Sequence, residues 1–303
     1  MCLCVYTHVY DGMDVCTNVR PRIHAHTHAH IHMHTHIHTH IHTQGIAIRS
    51  NGAAISYRNR IERNRLVDLG QSTRDLGGLS FIGSGHTLSV VRHNCVKRVT
   101  GVDTDPHGRF NTPFFTWGVY LDNLSSNFTI DSNILHTNVL GAVFIHGGYG
   151  NKVTNNIAFN TSNATMPGPG LYGHCDGARG LLLGSLGPGT FPMENSWERN
   201  IVLADTDDRM SIVGVARLNF SNFIHQLTFN RNIYFSPYRD LSSANDTTPL
   251  GDWGEWQRGG WDVDSKIADP MFLDVKNGNF GLDPNSPALK VGFIALPPGI
   301  DQC

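Results

Sequence analysis

Charge is scarce in this chain. Lys and Arg number 23 against 25 Asp and Glu, so charged residues are 16% of the 303, well under the roughly 25% of an ordinary globular protein. The net charge of −2 leaves no basic field to gather nucleic acid. No stretch approaches the ~20 apolar residues of a membrane span. Amphipathic helical runs with caps are almost absent. Cysteine is sparse, and no Cys-x-x-Cys pair suggests a metal knuckle. What is abundant is uncharged polarity, with 32 Gly and 25 Asn. The 40% hydrophobic content is enough for one sizeable core and excludes disorder throughout.

Residues 1–44 are a separate problem. Every even position from His24 to His42 is histidine, ten in all, alternating with Ala, Thr, Ile and Met. A CA-dinucleotide repeat yields this alternation on translation, and the Cys-, Val- and Thr-rich stretch before it suits a neighbouring TG-type repeat. The tract reads first as a gene-model extension or translated microsatellite. The alternatives are a disordered tail and a His-rich segment binding Zn, Ni or Cu unspecifically. Met1 is followed by no apolar h-region, so the chain as written shows no secretory signal. Setting 1–44 aside leaves Cys95, Cys175 and Cys303, an odd, distant trio that does not read as a disulfide framework.

Residues 45–303 form the expected folded domain, and they are self-similar at about two dozen residues. Gly78-Leu-Ser-Phe-Ile82, Gly118-Val-Tyr-Leu-Asp122 and Ala142-Val-Phe-Ile-His146 align. An asparagine in an apolar setting recurs at Asn64, Asn94, Asn133, Asn156, Asn200 and Asn232. Alternating apolar residues over four or five positions give strand periodicity. The expected fold is therefore all-β: a right-handed parallel β-helix, about three strands per coil and one coil per repeat, with N-terminal coils missing. A β-sandwich is the rival, but it gives no reason for asparagine to keep one phase. The asparagines are expected at bends, where they tolerate left-handed geometry, stacked into an amide ladder.

Several motifs then carry a resemblance. Asp269-Pro-Met-Phe-Leu-Asp274, Asn277-Gly-Asn-Phe280 and Ser286-Pro-Ala288 resemble the ending of right-handed β-helix carbohydrate-active proteins. Asp75-Leu-Gly-Gly78, Thr116-Trp-Gly-Val-Tyr-Leu-Asp122, the Gly141–Gly148 stretch, Asn151-Lys-Val-Thr-Asn-Asn-Ile157 and Asp176-Gly-Ala-Arg179 resemble a bacterial and algal branch of this pectin-lyase-like superfamily. The resemblance covers about residues 45–292. It implies relatives among β-helical glycoside hydrolases, such as fucosidases and xylanases, and an extracellular or secretory-pathway location. Six Asn-x-Ser/Thr sequons, at Asn123, Asn127, Asn160, Asn163, Asn219 and Asn245, would suit secretion.

Stacking coils ~4.8 Å apart turns sequence period into vertical columns. With Val119, Leu121, Val143 and Ile145 inward, Asp122 and His146 share an outward column, and Cys175 inward would continue it to Asp176. Tyr120, Phe144 and His174 form a parallel column. Asp122 and Asp176, roughly 9–10 Å apart along the backbone, could approach the ~6.5–9.5 Å carboxyl separation of inverting glycosidases. Asp75 with Asp122 is the other pair. The catalytic candidates are thus Asp75, Asp122 and Asp176. Trp117 and Tyr120 would stack on sugar, while His146, His174 and Arg179 would bind hydroxyls or a uronate. The insertions at 102–116, 164–173 and 237–260, the last with Trp253, Trp256 and then Trp261, could wall a groove. The alternative reading of an outward Asp is a solvated ladder residue, and of these tryptophans loop or coil packing.

The expected function is glycoside hydrolysis of a polysaccharide or its side chains, by a monomer without cofactor or metal, whose partner is a poly- or oligosaccharide and neither nucleic acid nor membrane. A polysaccharide lyase or uronate epimerase is the alternative, with calcium as its cofactor; Asp105-Pro-His-Gly108 resembles the Asp-Pro-His-Asp of mannuronan epimerases, with Gly108 in place of the last Asp. A non-catalytic glycan-binding or adhesion β-helix is the third reading.

Overall fold

The computed structural model describes residues 4–9, 13–18, 32–33, 45–49, 58–83, 88–138, 140–160, 178–184, 190, 192–205, 210–216, 224–244 and 247–303. Of the tail this includes an antiparallel pair, Cys4–Val9 with Met13–Asn18, and His32–Met33, which runs parallel to Arg60–Glu62.

The body is all-β and its main sheets are parallel. Successive strands pass to three sheets in rotation, an arrangement consistent with a solenoid. The first sheet orders Ile46–Arg49, Leu76–Ile82, Thr116–Asp122, Gly141–His146, Ala178–Gly184 and Met210–Ala216 side by side. The second runs from His32–Met33 through Val90–Arg92 and Thr129–Asp131 to Thr228–Asn230, and the third from Arg65–Leu69 through Ile134–His136 to Lys266–Ile267. Apolar residues alternate along each strand and register is kept between turns, so like side chains meet. Leu79, Val119, Val143 and Leu181 are such a row, as are Val91, Ile130, Val153, Trp197 and Phe229. Leu66, Val96, Leu135, Ala158, Val202 and Tyr234 form the third wall, and all three meet in one buried core.

The six ladder asparagines are buried. Each after Asn64 accepts at Oδ1 from both the backbone N–H and the side-chain amide of the asparagine one turn earlier. The distances are 3.0 and 2.9 Å for Asn64 on Asn94, and 2.9 Å for both bonds of Asn133 on Asn156. Their second amide hydrogens reach carbonyls of the preceding turn, such as Ile61, Val91 and Ile130. The series ends on Ser265 Oγ and the carboxylate of Asp262. The bend geometry differs from expectation. Left-handed φ belongs to the residue before each asparagine, Arg63, His93, Ser132, Asn155, Arg199 and Arg231, at 52–59°. The ladder asparagine itself is held by its amide, and the corner before it takes the strained dihedral.

The end of the core is covered by the helix Trp253–Arg258, whose Trp253 and Trp256 are buried against it. Trp256 Nε1 donates to Asp262, as do Tyr234 Oη, Asn232 Nδ2 and Ser265 Oγ. Burial raises the Asp262 pKa despite these donors. The three tryptophans therefore pack the fold: Trp253 and Trp256 form the plug, and Trp261 rests on it.

The C-terminal segment packs along the side of the coils. After the antiparallel pair Phe272–Asp274 with Asn279–Leu282, the chain returns along the outer face of the third sheet. Phe280, Ala288, Val291, Phe293 and Leu296 cover Ile134, Ile157, Ile201 and Ile233 there. Asn155 exchanges two hydrogen bonds with Ile294, at 2.8 and 2.6 Å. A disulfide joins Cys95 to Cys303 across 208 residues, which corrects the reading of the cysteines. Spacing could not reveal it, because the returning segment alone brings the two together. Closing so long a loop removes about 5 kcal/mol of unfolded-state entropy in the chain-entropy treatment.

His136 lies under this segment, 4.6 Å from the Phe159 ring and 5.8 Å from Phe280, centre to centre. Burial, with the charges of Lys97 and Arg98, pushes its pKa from 6.5 down to about 3. Between those values the unfolded chain binds a proton that the folded one refuses, so stability falls as pH drops through that window. Acidifying from about pH 7 to about pH 4 should remove about 3 kcal/mol through this residue. Thermal melts of His136→Phe should show a flatter acid limb than the wild type; equal limbs would contradict the assignment.

Candidate functional site

Two carboxylates meet on the outer face of the first sheet. Residues 119, 121, 143 and 145 fill the core, so Tyr120, Asp122, Phe144 and His146 project the other way. Their strands are in register, with Tyr120 opposite Phe144 and Leu121 opposite Ile145. The expected Asp122–His146 neighbourhood is present: His146 Nδ1 lies 2.8 Å from Asp122 Oδ1. An ionised carboxylate only accepts, so the imidazole donates here. The same oxygen accepts from the Asn123 backbone N–H at 2.8 Å. Both side chains are largely buried, at 8% exposed for His146 and 15% for Asp122.

Asp75 reaches this pair because its strand bends. Gly77 N–H donates to Ser80 Oγ at 2.9 Å, and that hydroxyl donates to the Gly77 carbonyl at 3.1 Å. A side chain at Gly77 would come within 2.8 Å of Tyr120 Cβ, so glycine lets Tyr120 lie against the bend. Asp75 precedes it with left-handed φ of 55°, its N–H bonded to Phe115 O. As a residue Asp75 is exposed, but its carboxyl is turned toward the Tyr120 hydroxyl, from which it accepts. Loss of hydration raises its pKa, and the charge of Asp122 raises it further. Tyr120, His146 and Arg74 only partly offset this. Arg74 is itself engaged by Asp103 at 2.6 Å.

The aromatic residues occupy a different role from the one expected. Trp117 and Phe144 are fully buried and Tyr120 is 3% exposed. Tyr120 and Phe144 stack at 5.0 Å with 13° between planes, Trp117 lies 4.6 Å from Phe144, and His146 stacks on Phe144 at 5.1 Å. Rings one turn apart sit at stacking distance, so they saturate one another and offer sugar no face. Trp117 and Tyr120 are thus the footing of the site, and Tyr120 also tethers Asp75.

Other placements differ as well. Asp176 and His174 lie outside the described residues, as does Cys175. The strand positions beside His146 and Phe144 are taken by Gly184 and Leu182, and the columns drawn on to Asp176 and His174 end on residues outside the described ones. The intervening stretch uses more residues than the count allowed. Arg179 sits two residues before Leu181, the partner of Val143, on the rung of Gly141. In Asp105-Pro-His-Gly108, the Asp105 carboxylate accepts from His107 N–H, Arg109 N–H and Arg109 Nε at 2.8–2.9 Å. The motif locks the turn of the hairpin Asp103–Thr104 with Phe110–Asn111. Sequence reasoning missed the Asn123 N–H on Asp122 and the Gly77–Ser80 bend; the Gly77-Gly78 doublet was the available signal for the second.

No family model, curated protein or solved structure matches this chain. Its function must be argued from its own side chains.

Proposed function

We propose that this chain is a right-handed parallel β-helix of the pectin-lyase-like kind and a glycoside hydrolase acting on a polysaccharide or its side chains. The handedness rests on the rule that parallel crossovers wind right-handed in ~98% of cases. One observation carries the activity: the Asp75 carboxyl is held toward Asp122 by Tyr120, in surroundings that favour its protonated form. Glycosidases need this asymmetry, one carboxylic acid and one carboxylate. Asp75 gives its proton to the glycosidic oxygen as the C–O bond breaks. Asp122, fixed by His146 and Asn123 N–H, acts on the anomeric side, as base toward water or as nucleophile. The configuration of the first product distinguishes those two. The Cys95–Cys303 bridge supports an oxidising, extracellular setting.

The test concerns Asp75. Asp75→Asn should lose turnover on natural glycans while keeping it on an aryl glycoside whose leaving group needs no proton. Equal loss on both substrates would remove Asp75 from the acid role. The same variant has a second signature. A raised carboxyl pKa means the folded state keeps a proton the unfolded chain has released, so stability declines as pH rises through that interval. Asp75→Asn should therefore melt higher than wild type at neutral pH. The gain should vanish below the ordinary carboxylate range.

A further inference from the structure

A second site lies at the end of the third sheet, away from the carboxylates. The outward column of that sheet runs Cys95, Ile134, Ile157, Ile201 and Ile233, all beneath the returning segment. Its next member is Lys266, so the column passes from covered and apolar to exposed and cationic. The neighbouring corner, which carries His93, Ser132 and Asn155 in the middle turns, carries Arg199 and Arg231 at the left-handed position of its last two. The returning segment adds Lys290, the last residue of the short helix Pro287–Lys290.

Arg231, Lys266 and Lys290 line one open groove of about 610 Å³, with Val263 and Gly292 beside them. The stem of Arg199 borders it, its Cδ 3.7 Å from where a side chain on Gly292 would begin. Among the described residues, none of these four cations has an ion-pair partner. The one lining carboxylate, Asp264, accepts from Asn230 Nδ2 at 2.9 Å. In a chain with net charge −2, this is a local reversal of sign that collects anions.

We propose that the groove binds an acidic polysaccharide through its uronate carboxylates or sulfate esters. Three of the cations come from successive turns, which are ~4.8 Å apart, a spacing comparable with the rise of one pyranose along an extended chain. No aromatic ring lines the groove, whereas single-stranded nucleic acid is held by stacking on such rings. The groove's volume is within the range of oligosaccharide-sized sites. It would anchor the polymer independently of any chemistry at Asp75 and Asp122, so the proposal does not rest on the hydrolase reading.

The test is affinity electrophoresis of the full chain in gels containing polygalacturonate, dextran sulfate or neutral dextran, which reads binding without turnover. The wild type should be retarded by an acidic polymer and not by dextran, and added salt should release it. Retardation by polygalacturonate alone assigns carboxylates, and by dextran sulfate alone assigns sulfates. Combined Arg231→Ala, Lys266→Ala and Lys290→Ala should weaken binding on the order of tenfold or more. All three are exposed, so circular dichroism should be unchanged, and Lys276→Ala should bind as wild type. The idea fails if neither acidic polymer retards the protein, if the triple variant is retarded equally, or if single-stranded DNA binds as well.

Discussion

Asp122→Asn should reduce glycan turnover by about 10³-fold or more while leaving the fold intact. Losing a catalytic base or nucleophile typically has this size. The fold should survive because an amide oxygen still accepts the 2.8 Å bonds from His146 Nδ1 and Asn123 N–H. Stacking of His146 on Phe144 also holds the imidazole when the charge is gone. The measurement is release of reducing ends from a panel of plant and algal glycans, with circular dichroism as the folding control. Unchanged turnover would remove Asp122 from the reaction. An unsaturated-uronate absorbance in place of simple hydrolysis products would transfer the site to lyase chemistry. Glycan binding without turnover in the wild type would instead favour the adhesion reading.

The second large effect is on stability. Asn156→Leu should destabilise the protein by about 3–5 kcal/mol. The Asn156 amide donates to Ile130 O and Thr154 O at 2.9 Å and to Asn200 Oδ1 at 3.0 Å. Its Oδ1 accepts both bonds from Asn133 at 2.9 Å. Leucine has similar bulk but leaves those buried donors and acceptors without partners in a dry interior, and it interrupts a chain of amides that polarise one another. An exposed asparagine gives the contrast: Asn277, whose amide reaches only Asp274 at 2.7 Å, should lose less than about 0.5 kcal/mol as alanine. Urea unfolding of both variants decides the matter. A loss below about 1 kcal/mol for Asn156→Leu would mean the ladder is decorative.

Much of the architecture could be read along the chain because its causes are local and periodic. Alternation at Val119, Leu121, Val143 and Ile145 states which side chains go inward. The 24-residue step from Asp122 to His146 states that they become neighbours. The phase of Asn133, Asn156 and Asn200 states where the amides stack. Each inference needs only a constant number of residues per turn between the two points compared. Where that number changes, counting breaks down. The stretch after Asn160 lengthens the turn, and Gly184 rather than Asp176 arrives beside His146.

By itself, then, the sequence determined the strand alternation, the asparagine phase and the meeting of one carboxylate with one imidazole. These follow from backbone period and side-chain polarity alone. Only the tertiary structure decided that Trp117, Tyr120 and Phe144 bury one another rather than face solvent, since burial depends on every neighbour at once. Only it brought Cys95 to Cys303, because that depends on a segment returning over a surface built 208 residues earlier, and only it set Trp256 as a plug, because that depends on where the helix Trp253–Arg258 settles on the end of the core. And only a bend at Gly77, permitted by a missing side chain where Tyr120 passes, could turn Asp75 toward Asp122.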